Sequence, residues 1–214
     1  MTITVHHLNN SRSLRILWLL EELDLDYQIK FYQRNPRTML APTELKKVHP
    51  LGKSPVITHD GQTIAESGLI VEYLLGCCSN LLMPRGSEMQ VKYWLHYAEG
   101  SLMPLLLLKL VFARLSQPPV PFLLRPLTKA IASQVGKAFT NPQLATHLRY
   151  IEDTLSKNPW FAGTEFSAAD IQMSFPLEAA LEQNLIDKDY SNIIRFVAKI
   201  QERPAYERAR QKIS

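Results

Sequence analysis

The chain has few of the residues that build covalent, metal or nucleotide sites. Its two cysteines, Cys77 and Cys78, are adjacent, so a normal disulfide between them is geometrically unfavourable. The pair His6–His7 has no third ligand at metal-binding spacing, and the sequence contains no glycine-rich phosphate loop. We therefore expect no disulfide framework, no metal site and no cradle for nucleotide phosphates.

Long hydrophobic runs and segments of one charge sign are also missing. The most apolar run, residues 102–115, contains a proline and two basic residues and is too short to cross a bilayer. Polar residues follow Met1 within five positions, so we expect no secretory signal. Residues 1–85 carry 9 Lys and Arg against 8 Asp and Glu, and residues 86–214 carry 15 against 12. The composition predicts a soluble, cytoplasmic protein that binds neither nucleic acid nor membranes.

Residues 1–78 follow an alternating pattern of strands and helices. The helix that begins at Ser11 or Ser13 is apolar on two sides, so we expect a sheet on one side and another domain on the other. Asp60–Gly61 lies between two β-branched runs and predicts a hairpin. The order of elements predicts a thioredoxin-like α/β domain. Strands are predicted at 2–6, 27–32, 56–58 and 62–64, and helices at 11–23, from about 42, and at 67–75.

Residues 87–214 show helical periodicity without a convincing strand pattern. Residues 79–86 lack a period and form the expected linker. Pro104 predicts a kink or a break in the first long helix. The run from Ser167 to Asp170 matches a capping box with Asp in place of Glu. We therefore predict an α/β thioredoxin-like N-terminal domain followed by an all-α C-terminal domain.

The most informative stretch surrounds Ser54–Pro55, at the start of the apolar run 56–58. Proline cannot donate to a sheet, so its position makes sense if another molecule uses the backbone there. Ser54 keeps both its N–H and its C=O, and an extended ligand could pair with them as an extra strand. Downstream, Glu66–Ser67 opens a helix whose N-terminus favours a carboxylate. These features predict a slot for a short peptide with an anionic end.

The order Gly-Lys-Ser-Pro-Val at residues 52–56, followed by Glu66–Ser67, resembles the glutathione site of cytosolic glutathione transferases, in particular serine-type, bacterial-like members. Residues 161–163 and 167–171 resemble the second domain of that family. The resemblance implies a detoxification enzyme that conjugates the thiolate of reduced glutathione to small apolar electrophiles. It also implies a homodimer, with glutathione as co-substrate and no other cofactor.

The same resemblance assigns roles to the slot residues. It implies that Ser67 binds the carboxylate of the γ-glutamyl end of glutathione and that Glu66 binds its ammonium group. It implies that Lys53, assisted by His49, meets the glycyl carboxylate. It also implies that Ser54 contacts the peptide through its backbone, before a cis-proline at Pro55. From the residues alone, a routine helix cap, a surface lysine and an ordinary trans proline remain alternatives.

Ser11 precedes the first helix, where its hydroxyl could donate to an anion held at the N-terminus. A free thiol has a pKa of about 8.5, and lowering it by about two units takes roughly 2.7 kcal/mol. One charge-assisted hydrogen bond could supply most of that energy. The residues alone favour Ser11 as a helix cap. The resemblance implies instead that Ser11, four residues before Arg15, contacts the glutathione sulfur, with Asn10 as runner-up and Ser13 as a plain cap.

The pocket for the electrophile is less well marked. Tyr97 and Met103 are candidates, although aromatic residues at helical spacing are more often core than ligand wall. No cysteine lies near residues 10–13, which argues against disulfide exchange and against a cysteine-type transferase. Two alternatives stay open: a non-catalytic protein that holds glutathione or an apolar ligand, and a glutathione-dependent isomerase, dehalogenase or peroxidase on the same scaffold.

Overall fold

The computed structural model describes residues 2–78 and 81–213. Strands and helices alternate in its first part, in the order that the sequence predicts. The strands are β1 (Ile3–Leu8), β2 (Tyr27–Tyr32), β3 (Val56–His59) and β4 (Gln62–Ala65). The helices are α1 (Leu14–Glu22), α2 (Thr43–Val48) and α3 (Ser67–Cys77).

The four strands form one mixed sheet in the order β2-β1-β3-β4. β1 runs parallel to β2 and antiparallel to β3, which pairs antiparallel with β4. In the central strand, Val5 lies opposite Ile29 on one side and Ile57 on the other. Asp60 and Gly61 have φ values of 49° and 75°, as a two-residue hairpin turn requires. The predicted thioredoxin-like layout is therefore confirmed.

Helix α1 is covered on both sides, as its two apolar faces predict. All six residues from Arg15 to Leu20 are buried. α1 packs against α3 of its own domain and against two helices of the second part, α8 (Ala168–Glu182) and α10 (Pro204–Gln211). These contacts fix the position of the β1–α1 turn, which carries Asn10 and Ser11.

The second part is helical apart from its turns and one isolated bridge between Trp160 and Gly163, within the described residues. Pro104 does not break the first long helix, which runs from Glu88 to Arg114. A π-helical turn at Ala98–Leu102 lies inside this helix, shortly before Pro104. This wider turn accommodates a proline, whose nitrogen cannot donate a hydrogen bond to the preceding turn. The remaining helices are α4 (Glu88–Tyr97), α5 (Met103–Arg114), α6 (Arg125–Val135), α7 (Asn141–Lys157) and α9 (Ser191–Gln201).

The capping box predicted at the start of α8 is present and fully buried. The Asp170 carboxylate accepts hydrogen bonds from the Ser167 N–H at 2.8 Å, the Ser167 hydroxyl at 3.0 Å and the Phe161 N–H at 2.9 Å. Burial raises the pKa of Asp170 to about 6, although these three donors oppose the shift. Asp170 therefore joins the turn before α8 to the helix itself, and its role is structural.

A buried arginine joins the two parts of the molecule. Arg15 of α1 donates to the Gln172 carbonyl of α8 at 3.0 Å and to the Glu99 carboxylate at 2.5 Å. Arg12 also pairs with Glu99. Burial lowers the pKa of Arg15 to about 10, against the effect of Glu99, so the guanidinium stays charged at neutral pH. Since Glu99 lies in the π-helical turn, this ion pair sets the position of the first long helix relative to α1.

The segment between α3 and α4 falls partly outside the described residues, since Ser79 and Asn80 belong to the predicted linker. The domain boundaries therefore stay a prediction. Within the described residues, one helical stretch, Glu88–Arg114, is long and apolar enough by composition to cross a membrane, because the helix extends beyond the apolar run 102–115. The core helix of a soluble protein passes the same test, and 39% of its most apolar window is buried inside the protein.

Candidate active site

A cavity of about 330 Å³, called here the slot, opens beside the β1–α1 turn. Most of its lining comes from three chain segments: that turn, the segment that enters β3, and the start of α3. The structure thus brings together every residue that the resemblance assigns to the thiol and to the peptide. These residues are Asn10, Ser11, His49, Lys53, Ser54, Pro55, Glu66 and Ser67. Their individual roles remain predictions.

The segment that enters β3 is tied to the end of β1 through one hydroxyl group. The Ser54 hydroxyl donates to the His6 carbonyl at 2.8 Å and accepts the Leu8 N–H at 3.3 Å. The Ser54–Pro55 peptide bond is cis, which confirms the expectation drawn from the family resemblance. The side chain of Ser54 is therefore engaged inside the protein, which is consistent with a ligand contact made by its backbone.

The start of α3 closes the far end of the slot. Glu66, the residue that precedes the helix, has φ of 71°, a conformation that non-glycine residues seldom adopt outside special turns. Ser67 is 6% exposed, and the Gln172 side chain donates to its hydroxyl at 3.5 Å. The free N–H groups of a helix N-terminus carry partial positive charge, so this end of the slot suits a carboxylate.

The hydroxyl of Ser11 lies where the slot meets the start of α1. It donates to the Ser54 hydroxyl at 3.2 Å and lies 3.1 Å from the Ser13 hydroxyl. Ser13 occupies the cap position of α1, but its hydroxyl makes no capping hydrogen bond. The prediction that Ser13 is a plain cap is wrong, because its backbone is already helical and its hydroxyl bonds to His7 Nδ1 at 2.7 Å.

A second cavity of about 500 Å³ lies between α1 and the helices α8, α9 and α10. Leu14, Trp18 and Ala179 give it apolar surface along α1 and α8, and the charged residues Arg15, Glu178 and Glu182 of the same helices line it as well. Ser11 and Phe175 line both this cavity and the slot. We call it the inter-domain cavity. Its place beside Ser11 means that a molecule bound there would lie next to the Ser11 end of the slot.

The two residues suggested for the electrophile pocket lie elsewhere. Tyr97 is 7% exposed, its hydroxyl hydrogen-bonds to His147 Nδ1 at 2.5 Å, and its ring stacks on Tyr93. Met103 packs against the hydrophobic core. Neither residue lines the slot or the inter-domain cavity. Their assignment stays a prediction without geometric support.

Five slot residues were not predicted from the sequence: Arg12, Leu51, Ala65 and, with the most distinctive contacts, Arg34 and Phe175. Arg34 follows β2, and its guanidinium donates to the Asn9 carbonyl at 3.0 Å and to the Met39 carbonyl at 3.0 Å. Phe175 comes from α8 and lies under the guanidinium groups of Arg12 and Arg15, each 5.3 Å from the ring centre. No amphipathic pattern marks Arg34, because it follows a strand and lies outside any helix. None marks Phe175, because α8 is apolar on most of its surface.

His49 adds a free hydrogen-bonding atom to the slot. Its Nδ1 is buried and has no hydrogen-bond partner among the described residues, although the side chain lines the cavity. A buried polar atom without a partner is costly, so it favours a ligand that can bond to it. Within residues 2–78 and 81–213, no cluster of three or more His, Cys, Asp or Glu side chains could hold a metal ion.

A thioredoxin-like domain with a cis-proline slot, packed against an all-helical domain, defines the glutathione transferase fold. Comparison with protein families agrees with this class. Residues 1–76 match the glutathione S-transferase N-terminal domain, and residues 117–208 match the glutathione S-transferase C-terminal domain.

Individual relatives match nearly the whole chain. Glutathione S-transferase 3 of Schizosaccharomyces pombe is 37% identical over 99% of this chain and 88% of its own length. Glutathione S-transferase 1 of Saccharomyces cerevisiae is 35% identical over 98% of this chain and 94% of its own. A crystal structure of a glutathione S-transferase from Actinobacillus pleuropneumoniae superposes with a TM-score of 0.81 at 34% identity, covering 99% of this chain and 92% of that one. The chain belongs to the glutathione S-transferase family, and it is an enzyme of that type.

Proposed function

We propose that this enzyme transfers the thiolate of reduced glutathione to small apolar electrophiles, with Ser11 as the group that stabilises the thiolate. The observation that carries the proposal is the position of the Ser11 hydroxyl, where the slot meets the inter-domain cavity. Glutathione in the slot would place its sulfur at that junction, and the electrophile would approach from the apolar side. No cofactor besides glutathione as co-substrate enters this reaction.

The charges of the slot fit the three polar ends of the tripeptide. The N-terminus of α3 with Ser67 would hold the γ-glutamyl carboxylate, and Glu66 would hold the ammonium group. Lys53 and the free Nδ1 of His49 would meet the glycyl carboxylate. The backbone of Ser54 would pair with the cysteinyl residue as an added strand.

Replacement of Ser11 by alanine tests the role of its hydroxyl. A hydrogen bond to a charged group contributes about 1.5–3 kcal/mol, so Ser11→Ala should lower kcat/KM with an activated aryl chloride by about 10- to 150-fold. The KM for glutathione should change little, because the slot that binds its polar ends is intact. Ser133→Ala, an exposed serine of α6, is the matched control and should retain full activity.

Two outcomes would overturn parts of this proposal. Unchanged conjugation by Ser11→Ala would rule out the serine mechanism and would direct attention to Asn10. Saturable glutathione binding by the wild type, without turnover of aryl chlorides, peroxides, haloalkanes or isomerisable substrates, would favour a protein that only holds glutathione. Turnover of one of the other three classes instead would assign the scaffold to that reaction.

The inter-domain cavity is the proposed site of the electrophile. Its walls include Leu14, Trp18 and Phe175, which provide apolar surface next to Ser11. Ala179→Trp should fill part of this cavity and raise the KM for the electrophile while leaving the KM for glutathione unchanged. A rise in the KM for electrophile on changing Tyr97 or Met103, with no effect of Ala179→Trp, would contradict this placement.

We also propose a symmetric homodimer in the cytoplasm. Helix α6 has no buried residue, and the exposed side chains of Leu127, Ile131 and Val135 lie along it. An exposed apolar surface of this kind is typical of a subunit interface, where a second chain buries it. Sedimentation velocity of the purified protein should give the mass of two chains, and a single 24.5 kDa species would reject the dimer.

A further inference from the structure

The hydroxyl of Ser11 is the middle of a chain of hydrogen bonds that begins at a buried histidine. His7 Nδ1 lies 2.7 Å from the Ser13 hydroxyl, which lies 3.1 Å from the Ser11 hydroxyl. The Ser11 hydroxyl lies 3.2 Å from that of Ser54, which in turn donates to the His6 carbonyl. His7 and Ser13 are 8% and 0% exposed. Three hydroxyl groups and one imidazole therefore form a continuous path.

The direction of this path follows from counting protons. A hydroxyl group has one proton, and Ser54 gives its proton to the His6 carbonyl, which can only accept. The contact between Ser11 and Ser54 is then a hydrogen bond only if Ser11 donates.

Counting protons in the same way also assigns the donors in the contacts between Ser11, Ser13 and His7. If Ser11 donates to Ser54, the contact between Ser11 and Ser13 is a hydrogen bond only if Ser13 donates. The proton of Ser13 is then already used, so the contact between Ser13 and His7 is a hydrogen bond only if His7 Nδ1 carries a proton and donates it. All contacts are satisfied in one arrangement, which runs from His7 through Ser13 to Ser11.

The opposite arrangement makes Ser11 a poor partner for a thiolate. If His7 Nδ1 carries no proton, Ser13 donates to it, and the proton of Ser11 is drawn to Ser13 or to Ser54. When Nδ1 carries the proton, the buried Ser13 hydroxyl donates its hydrogen bond to the oxygen of Ser11. The proton of Ser11 can then turn from Ser54 to an anion in the slot. This gives up the hydrogen bond to Ser54, whose hydroxyl keeps its bonds to the His6 carbonyl and the Leu8 N–H.

We infer that His7 is a positioning residue, which acts through Ser13 to make the Ser11 hydroxyl a hydrogen-bond donor to the glutathione thiolate. This inference rests on the proposed role of Ser11. His7 touches neither the slot nor the inter-domain cavity, so its effect passes through the two hydroxyl groups.

The surroundings of His7 support a neutral imidazole with its proton held at one nitrogen. Its strand partner is Phe31, whose ring meets the imidazole edge-on at 5.5 Å and carries no charge. Burial lowers the pKa of His7, so the ring is neutral at pH 7 and its single proton resides on one of the two nitrogens. The hydrogen-bond path favours Nδ1.

Ser13→Ala is the cleanest test, because the Ser13 hydroxyl makes no capping bond to α1. The measured quantity is the pKa of the thiol in the complex with glutathione, followed by thiolate absorbance against pH. Both Ser13→Ala and His7→Phe should raise this pKa by about one unit, a change of about tenfold in the ionisation equilibrium. The dissociation constant of glutathione should stay within about twofold in both variants when it is measured below the pKa of the bound thiol, where the thiol is protonated in every variant.

Two further variants separate positioning from mere packing. His7→Asn keeps an amide donor near the position of Nδ1 and should restore part of the lost thiol ionisation, which His7→Phe cannot. His6→Phe is the matched control, since His6 is equally buried but faces Tyr32 and Thr58 on the other side of the strand. It should leave the thiol pKa unchanged even if it lowers the thermal stability.

The experiment distinguishes failure of the inference from failure of the proposed function. If Ser11→Ala raises the thiol pKa but Ser13→Ala does not, the inference is wrong and the serine mechanism stands. If Ser11→Ala itself has no effect, the proposed function fails. In the Ser11→Ala background, Ser13→Ala should have no further effect, and an additive effect would contradict the path. Nitrogen NMR of His7 showing its proton on Nε2 in the glutathione complex would also overturn it.

Discussion

Helices α6 and α8 belong to the same domain but differ in nearly every contact they make. Ten residues of α8 are buried, and α8 packs against α1, α3 and α4. No residue of α6 is buried, and Leu123, just before it, is 86% exposed. The comparison shows that the helical domain has a rigid side, which supports the active site, and an outer side, which is free to contact another chain. Four predictions test this division.

The largest effect is expected at the buried start of α8. Asp170→Ala removes three hydrogen bonds and leaves the N–H groups of Phe161 and Ser167 buried without a partner. The free energy of unfolding should fall by about 3 kcal/mol or more. Urea denaturation measures the loss, with the exposed Asp153→Ala of α7 as control. A loss of less than about 1 kcal/mol would mean that α8 is not the rigid side of the domain.

A smaller effect is expected at the joint between α1 and the first long helix. Glu99→Gln leaves the Arg15 guanidinium buried with its Gln172 contact but without its hydrogen-bonded carboxylate. The expected loss is about 2 kcal/mol, below the range for fully buried pairs because Glu99 is partly exposed to water. Arg15→Met in addition should recover part of the stability. If the double variant is less stable than Glu99→Gln alone, the charge of Arg15 is not the cause.

The contact between α1 and α10 should depend on pH. Burial alone would raise the pKa of Glu21, but hydrogen bonds from Lys212, Tyr27 and Arg208 lower it from 4.5 to about 2. A carboxylate with a lowered pKa binds protons less readily when folded, so its stabilisation is present above pH 4.5 and is lost as the pH falls towards 2.

The size of this pH effect is about 1 kcal/mol, because solvent screens the partly exposed Lys212 and Arg208. Urea denaturation of the wild type and of Glu21→Gln should therefore differ above pH 4.5 and converge at lower pH. An equal difference at every pH would show that Glu21 acts through packing and not through its charge.

The smallest effect is expected at the outer side. Leu123→Ser should change the free energy of unfolding of the monomeric chain by less than about 0.5 kcal/mol, because the exposed side chain makes few contacts that the substitution would remove. Leu177→Ala in α8, where the residue is fully buried, should cost about 2–5 kcal/mol under the same conditions. Similar losses for the two variants would remove the distinction between α6 and α8.

The elements of the α/β domain could be predicted because their signals are local. Alternation over a few residues marks a strand, and Asp60–Gly61 marks its turn, whatever the rest of the chain does. Two slot segments follow the same logic, since Ser54–Pro55 and Glu66–Ser67 each open an element whose backbone groups are free. Lys53 and His49 were implied only by the family resemblance. The prediction of Ser13 as a plain cap was wrong for a related reason. The hydroxyl of a serine before a helix has several possible hydrogen-bond partners, and that of Ser13 bonds to the nearby His7 instead of to the free N–H groups of α1.

Local patterns were enough to predict the order of strands and helices in the first domain and the capping box at Asp170, and the family resemblance added eight of the residues that line the slot. What faces them depends on tertiary packing: Phe175 under the β1–α1 turn, Glu99 beside Arg15, and a largely apolar cavity next to Ser11. The reason is physical. Backbone preferences and caps depend on neighbours a few residues away, whereas a cavity wall depends on the angle at which distant helices pack, which no short pattern encodes.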